Sequence, residues 1–275
     1  MTDQPYLGFL DGRRIPQLGL GVWQAPADQT ADLVLAAIEA GYRGFDTAKA
    51  YGNEAGVGEG VRRSGLPRDD LFVTTKLFTS DHGFDEALKA FDDSLGRLGL
   101  DHVDLYLIHW PAPAQNKYLE SWKALVRLMQ DGRARSIGVS NFQPTHLERI
   151  IGETGVAPVL NQVELHPKFQ QKTLREVHGR LGIVTECWSP LGHGRLLGDP
   201  VIGRIAARND RSPAQVMLRW HIENGLRPIP KSANPRRIAE NFDIFDFHLS
   251  GEDEADFAAL DDPAGRQGPD PDRFG

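Results

Sequence analysis

Residues 71–110, LFVTTKLFTSDHGFDEALKAFDDSLGRLGLDHVDLYLIHW, carry the fold in miniature. LFVTTK (71–76) and VDLYLIH (103–109) are short apolar and β-branched runs. Between them, FDEALKAFDDSLGRLG (84–99) spaces its apolar residues as a helix does and ends on Gly99. Glycine closes helices because it takes left-handed backbone angles at little steric cost. A strand, a helix and a second strand in that order predict parallel pairing through a crossover.

The same unit repeats outward in both directions. Strands are expected at IPQLGLG (15–21), RGFD (43–46), SIGVSN (136–141), VLNQVEL (159–165), IVTECWS (183–189) and LRPIP (226–230). Helical patterns occupy TADLVLAAIEAG (30–41), YLESWKALVRLMQDG (118–132), PTHLERIIGETG (144–155) and PAQVMLRWHIENG (213–225). Eight strand–helix units in about 250 residues is the size of a (β/α)8 TIM barrel. In front, YLGFLDGRRIP (6–16) holds an Asp11-Gly12 pair between short runs and predicts an N-terminal β-hairpin. Behind, LSGEDEADFAALDD (249–262) predicts a C-terminal helix capped by Ser250, and the Pro/Gly-rich PAGRQGPDPDRFG (263–275) predicts a loop or tail. With no linker in sight, one domain over residues 1–275 is expected.

The net charge of −7 argues against nucleic acid, since an acidic surface repels polyanions. The lone Cys187 allows no internal disulfide. MTDQPYLGFL lacks the basic start and long apolar run of a signal peptide, and no apolar run reaches membrane length. A cytoplasmic monomer with no membrane or nucleic-acid partner is the expectation. One stretch departs from the acidic background: RPIPKSANPRR (227–237) gathers Arg227, Lys231, Arg236 and Arg237. It is either a solvated basic face or a seat for a phosphorylated small molecule, being too small for DNA or RNA.

Chemistry in such barrels sits at the carboxyl ends of the strands. Asp46 ends the second strand, Lys76 the third, His109 the fourth, and Ser140 with Asn141 the fifth. Gln162 lies in the sixth, Trp188 and Ser189 end the seventh, and Lys231 follows the eighth. Taken singly, each has an ordinary explanation as a cap, a strand-end side chain or a core residue. Three ionisable groups at successive strand ends, with Tyr51 in the loop between, make a site. The grouping suits carbonyl reduction, where hydride reaching carbon leaves charge on an oxygen that must take a proton. Free tyrosine, pKa ~10, is poorly matched to neutral pH. Bringing it near ~7 needs about 4 kcal/mol, the order of energy one ammonium supplies at about 4 Å and an effective dielectric near 20. Lys76 is the candidate ammonium, Asp46 would hold it charged, and His109 would orient the substrate oxygen. No HExxH, paired CxxC or EF-hand pattern predicts a metal site, and no GxSxG predicts a nucleophile. Walker and GxGxxG loops are missing, and GVGEG (56–60) has the wrong spacing, so nucleotide phosphates would have to be held by side chains.

Several stretches in fixed order resemble the aldo-keto reductases: GYRGFDTAKAYGNEAGVGEG (41–60), VDLYLIHWP (103–111), IGVSNF (137–142), LNQVELHP (160–167) and IPKSANPRRIAEN (229–241). The match runs from about residue 8 to 249 and is most similar to bacterial 2,5-diketo-D-gluconate reductase-like members, through the short loop after HWP and the WSPLG stretch. The resemblance implies NADPH-dependent reduction of aldehydes or ketones, with Asp46, Tyr51, Lys76 and His109 as tetrad and Tyr51 as proton donor. It implies carboxamide contacts from Ser140, Asn141 and Gln162, and stacking on Trp188, where many relatives carry tyrosine. Ser189, Leu191 and Gly192 would meet phosphate and ribose, and Gly21, Val22, Trp23 and Asp46 would also line the cofactor. Lys231, Ser232 and Arg237 would hold the adenosine 2′-phosphate, and Glu240 and Asn241 the adenine. Arg237 favours NADPH over NADH, because a guanidinium grips phosphate bidentately. Trp23, Tyr51, Phe78, His109 and Trp110 would shape the substrate pocket together with the C-terminal tail, with Phe78 where many relatives place tryptophan. The substrate expected is 2,5-diketo-D-gluconate or another small dicarbonyl. Two rivals stay open: a cofactor-binding sensor on the same fold, and a hydrolase pairing Asp46 with a carboxylate such as Glu164.

Overall fold

The computed structural model describes residues 4–275. The chain opens with the expected hairpin, β1 (Tyr6–Gly8) against β2 (Arg14–Pro16), with Leu7 facing Ile15. Its turn uses Gly12 at φ 82°, and Asp11 accepts the Arg13 N–H at 3.0 Å. Eight parallel strands follow: β3 (Leu20–Gly21), β4 (Gly44–Asp46), β5 (Phe72–Leu77), β6 (Val103–Ile108), β7 (Ala134–Ser140), β8 (Leu160–Glu164), β9 (Val184–Trp188) and β10 (Arg227–Pro228). Each pairs with the next in chain order. The first and last also meet: Gly21 bridges Lys231 in parallel, and the Gly19 and Gly21 N–H groups donate to Pro228 and Pro230 carbonyls at 3.2 and 3.1 Å. The sheet therefore closes into a (β/α)8 barrel.

Two strands differ from expectation, for one reason. The run at 15–21 divides, with Ile15 and Pro16 in the hairpin and only Leu20–Gly21 in the barrel. The run at 226–230 contributes just Arg227–Pro228. Proline has no N–H to give a ladder, so Pro16, Pro228 and Pro230 leave the seam held by glycine donors. The helices lie where their periodicity puts them: Thr30–Ala40, Phe84–Leu98, Tyr118–Gln130, Pro144–Thr154 and Pro213–Glu223. Gly41, Gly99 and Gly155 cap three of them in left-handed conformation. GVGEG belongs to helix Glu54–Arg63. A Cβ on Gly58 would lie 1.7 Å from the Leu98 carbonyl oxygen, so this glycine serves close helix packing.

The apolar core lies between sheet and helices, where Phe45, Val73, Tyr106, Trp122 and Ile137 are fully buried. The barrel interior is apolar near the hairpin, where Ile15, Leu105, Leu107 and Leu160 cluster, and polar towards the carboxyl end. Asp46 on β4 bonds Gln162 on β8, strands that are not neighbours, so the contact crosses the interior. Helix Gly251–Ala259 starts on Ser250, whose Oγ accepts the Asp253 N–H at 3.1 Å. Residues 263–275 form no helix or strand but return across the carboxyl end of the barrel, bringing Gly275 against Ala112 and Thr79.

Candidate active site

At the carboxyl end of β4, Asp46 is 1 % exposed, and Lys76 on β5 is completely buried. Lys76 Nζ donates to Asp46 Oδ1 at 2.6 Å and to the Thr47 carbonyl at 2.9 Å. A single 3-10 turn, Lys49–Tyr51, brings the phenol back over the strand end, where Tyr51 Oη accepts from Lys76 Nζ at 3.3 Å. The phenol's own hydrogen is therefore left free for another acceptor. The other Asp46 oxygen accepts from Gln162 Nε2 at 2.8 Å. His109 stands edge-on to Tyr51 at 5.7 Å and to Phe78 at 5.9 Å, centroid to centroid.

Protonation follows from burial and charge. Burial raises the Tyr51 hydroxyl, Lys76 pulls it down, and Asp46 pushes it up; the net position is above the ordinary tyrosine value. This corrects the expectation that Lys76 alone brings the phenol towards neutrality: the ammonium offsets burial without overcoming it. Burial works to discharge Lys76, yet Asp46 and Tyr51 hold its pKa above the usual lysine value. Burial and the Lys76 charge push His109 well below the ordinary histidine range. Its imidazole is neutral at physiological pH and can donate one hydrogen bond, but it is not a proton reservoir. The phenol keeps a hydrogen that no bond to Lys76 engages.

A cavity of about 1470 Å³ opens above these residues. Single small-molecule sites usually span ~300–1,000 Å³, so this one has room for a large cofactor together with a substrate. Its inner wall is polar. Ser140 Oγ donates to the Gln162 carbonyl at 2.8 Å, and Asn141 Nδ2 donates to the His109 carbonyl at 3.0 Å. Trp188 Nε1 donates to Asn141 Oδ1 at 2.8 Å, which holds the indole at the rim. Asn141 and Ser189 sit at φ 63° and 51°, left-handed values that are unusual for residues with side chains and gather at functional sites. At the far end lie Lys231, Ser232, Arg237, Glu240 and Asn241. There Asn234 caps helix Pro235–Phe242 by accepting the Arg236 N–H at 2.9 Å. A second cleft of about 630 Å³ lies at the opposite end of the barrel, beside the hairpin. Its charges answer one another: Arg135 meets Asp69 at 2.6 Å, and Arg68 meets Asp104 at 2.6 Å.

Nearly all the residues expected at the site line this one cavity. Lys76 lies behind the wall and reaches it through Tyr51, while Val22 and Gly192 are buried beside it without lining it. Arg227 needs correction. It is completely buried on β10, bound to Glu186, and stands apart from the exposed basic cluster of Lys231, Arg236 and Arg237. Burial takes its guanidinium down to about 10, against the pull of Asp46. Glu164 is spent elsewhere: its carboxylate accepts the Gln267 and Gly268 N–H groups at 2.6 and 2.9 Å and meets His166 at 3.2 Å. The tail fixed in this way lines the cavity, as expected of a pocket wall, through residues that the sequence did not single out individually, Gln267, Gly268 and Phe274, with Phe274 on Trp110 at 4.4 Å. No periodicity marks such a segment; within it, only the aromatic Phe274 could have been singled out as a lining residue. His193 and Arg195 also line the cavity, and His193 packs edge-on to Trp23 at 5.7 Å.

A family model described as the aldo/keto reductase family matches residues 17–262. An aldo-keto reductase of Mycolicibacterium smegmatis is 56% identical over 270 residues, covering 98% of both chains. Methylglyoxal reductase DkgA of Escherichia coli K12 is 47% identical over 277 residues, covering 100% of both. Among solved structures, a mutant of Gox0644 in complex with NADPH superposes with a TM-score of 0.95 at 51% identity, over 99% of each chain.

Proposed function

The chain belongs to the aldo/keto reductase family, and from that footing we propose that it reduces small aldehydes and ketones to alcohols with NADPH, Tyr51 giving the proton. The observation that carries the reading is one ammonium shared between a buried carboxylate and a phenol that opens on the cavity. NADPH bound there supplies hydride to the carbonyl carbon. The lining fits this cofactor. Ser140, Asn141 and Gln162 offer hydrogen bonds to a carboxamide, and Trp188 offers an indole face for a flat ring. Lys231, Ser232 and Arg237 offer charge and hydrogen bonds to a 2′-phosphate, with Glu240 and Asn241 beside them for the adenine. Gly21, Trp23, Ser189 and Leu191 line the stretch between, backed by Val22 and Gly192.

Tyr51 stays protonated through neutral pH because its pKa lies above the ordinary value, so the proton is present when the carbonyl arrives. As it leaves, Lys76 stabilises the tyrosinate. At about 4 Å and an effective dielectric near 20 that attraction is of the order of 4 kcal/mol. Asp46 keeps Lys76 charged and aimed. Neutral His109 donates to the carbonyl oxygen and turns it towards the phenol. Trp23, Phe78, Trp110 and Phe274 make an aromatic mouth around this point. A small dicarbonyl, methylglyoxal or 2,5-diketo-D-gluconate, is the substrate class we propose, and the first of the two agrees with the name of the Escherichia coli relative. The reading takes the whole chain as one catalytic unit, active as a monomer. The sensor alternative gains no support, since a binder has no use for a phenol backed by an ammonium and the Mycolicibacterium and Escherichia relatives are named as reductases.

The test follows NADPH absorbance with a diketo sugar acid, methylglyoxal, an aromatic aldehyde and a simple ketone. Turnover of the two dicarbonyls above the others is expected. Turnover confined to the aromatic aldehyde would move the substrate class, and NADPH binding without any turnover would sink the reductase reading.

A further inference from the structure

Glu186 and Arg227 are direct partners in the β9–β10 ladder, and both side chains are completely buried inside the barrel. Arg227 Nη1 donates to Glu186 Oε2, and Arg227 Nε donates to the Pro16 carbonyl at 2.8 Å. The interior is cleared for this guanidinium. A Cβ on Gly19 or Gly44 would lie 2.5 or 2.6 Å from Arg227 Nη2. Burying such a pair is a poor route to stability, because desolvating two charges offsets most of their attraction. Arg227 Nη2 even lacks a partner among the described residues. The pair needs another reason.

That reason lies one strand away. The second Glu186 oxygen, Oε1, accepts from Gln162 Nε2, the same nitrogen that donates to Asp46 Oδ2. Two carboxylates thus flank one side of the Gln162 amide. A carbonyl oxygen placed between them would be repelled, so the NH2 group belongs there with both hydrogens engaged. The amide is locked, and Oε1 is the atom left to face the cavity that Gln162 lines. We propose that Glu186, held in place by Arg227, is a positioning residue that fixes Gln162 Oε1 as an acceptor for the carboxamide N–H of the nicotinamide. With Glu186 gone, Asp46 would hold only one amide hydrogen, and the side chain could swing about that bond. The inference rests on the NADPH reading given above.

The probe pair is NADP+ and its 3-acetylpyridine analogue, in which a methyl replaces the carboxamide NH2. Wild-type protein should bind NADP+ the more tightly by about three- to tenfold, the worth of one hydrogen bond. The double variant Glu186→Leu/Arg227→Met removes both charges together and should fold with an undiminished melting temperature. Its preference for NADP+ should shrink by about threefold or more, to the extent that one hydrogen bond set it. Glu186→Gln, which keeps the shape of the side chain, should narrow the ratio in the same direction and serves as the readout if the double variant does not fold. Equal weakening of both forms, with the ratio unchanged, would mark a structural role and overturn the inference. So would a wild-type ratio of one. Failure of wild-type protein to bind either form would instead contradict the cofactor reading itself.

Discussion

The two ends of the cavity are built on opposite principles. At the inner end Asp46, Lys76 and Gln162 are buried and tied to one another before any ligand arrives. At the outer end Lys231 and Arg237 stand exposed in water on a loop and a capped helix. The inner end therefore depends on folding: its charges are desolvated, so each hydrogen bond there is strong and each loss costly. The outer end is screened by solvent until a ligand displaces it. Chemistry should be sensitive to the inner residues and cofactor choice to the outer ones.

The sharpest way to break this contrast is Lys76→Met. Removing the ammonium leaves Asp46 buried without its partner, which costs about 3–5 kcal/mol of stability. We expect kcat to fall by about 10²–10³, within the range of lost acid catalysis, with a lower melting temperature. An unchanged kcat in folded protein would mean that the inner network serves stability alone. At the outer end Arg237→Ala should weaken NADPH binding by roughly tenfold while NADH changes little, since only the former carries the 2′-phosphate. Equal losses for the two would remove the phosphate assignment. The smallest effect concerns pH. Tyr51 lies above the ordinary tyrosine value, so its protonated form persists as pH rises through about 10 and is lost only beyond it. Reduction rates should be level through neutral pH, and a tyrosine-like decline centred near pH 7 would contradict the burial argument.

How much of this was legible in the sequence depended on whether a residue's partners were local. The alternation of apolar runs and helical patterns was readable because strand and helix each have their own period. The polar strand ends were readable because a barrel places all of them on one rim. Arg227 was not, since its neighbours in sequence are the exposed Lys231, Arg236 and Arg237. Only its register with Glu186 draws it inside, and a charged residue in the middle of IVTECWS was the sole hint. The resemblance put the tail at the pocket, but which of its residues face the cavity was hidden for a similar reason. PAGRQGPDPDRFG has no period, and its place over the cavity is decided by Glu164, about a hundred residues earlier in the chain. Tyr51 misled in magnitude: the sequence suggested a lysine neighbour but not that desolvation and the Asp46 charge together outweigh it.

In the proposed reaction Tyr51 donates the proton while contributing little to cofactor binding. Tyr51→Phe removes one hydroxyl and keeps the ring against His109, so NADPH affinity and carbonyl turnover can be measured on the same folded protein. The account predicts an unchanged NADPH dissociation constant with kcat lower by about 10²–10⁴. Reduction by Tyr51→Phe at the wild-type rate would contradict it.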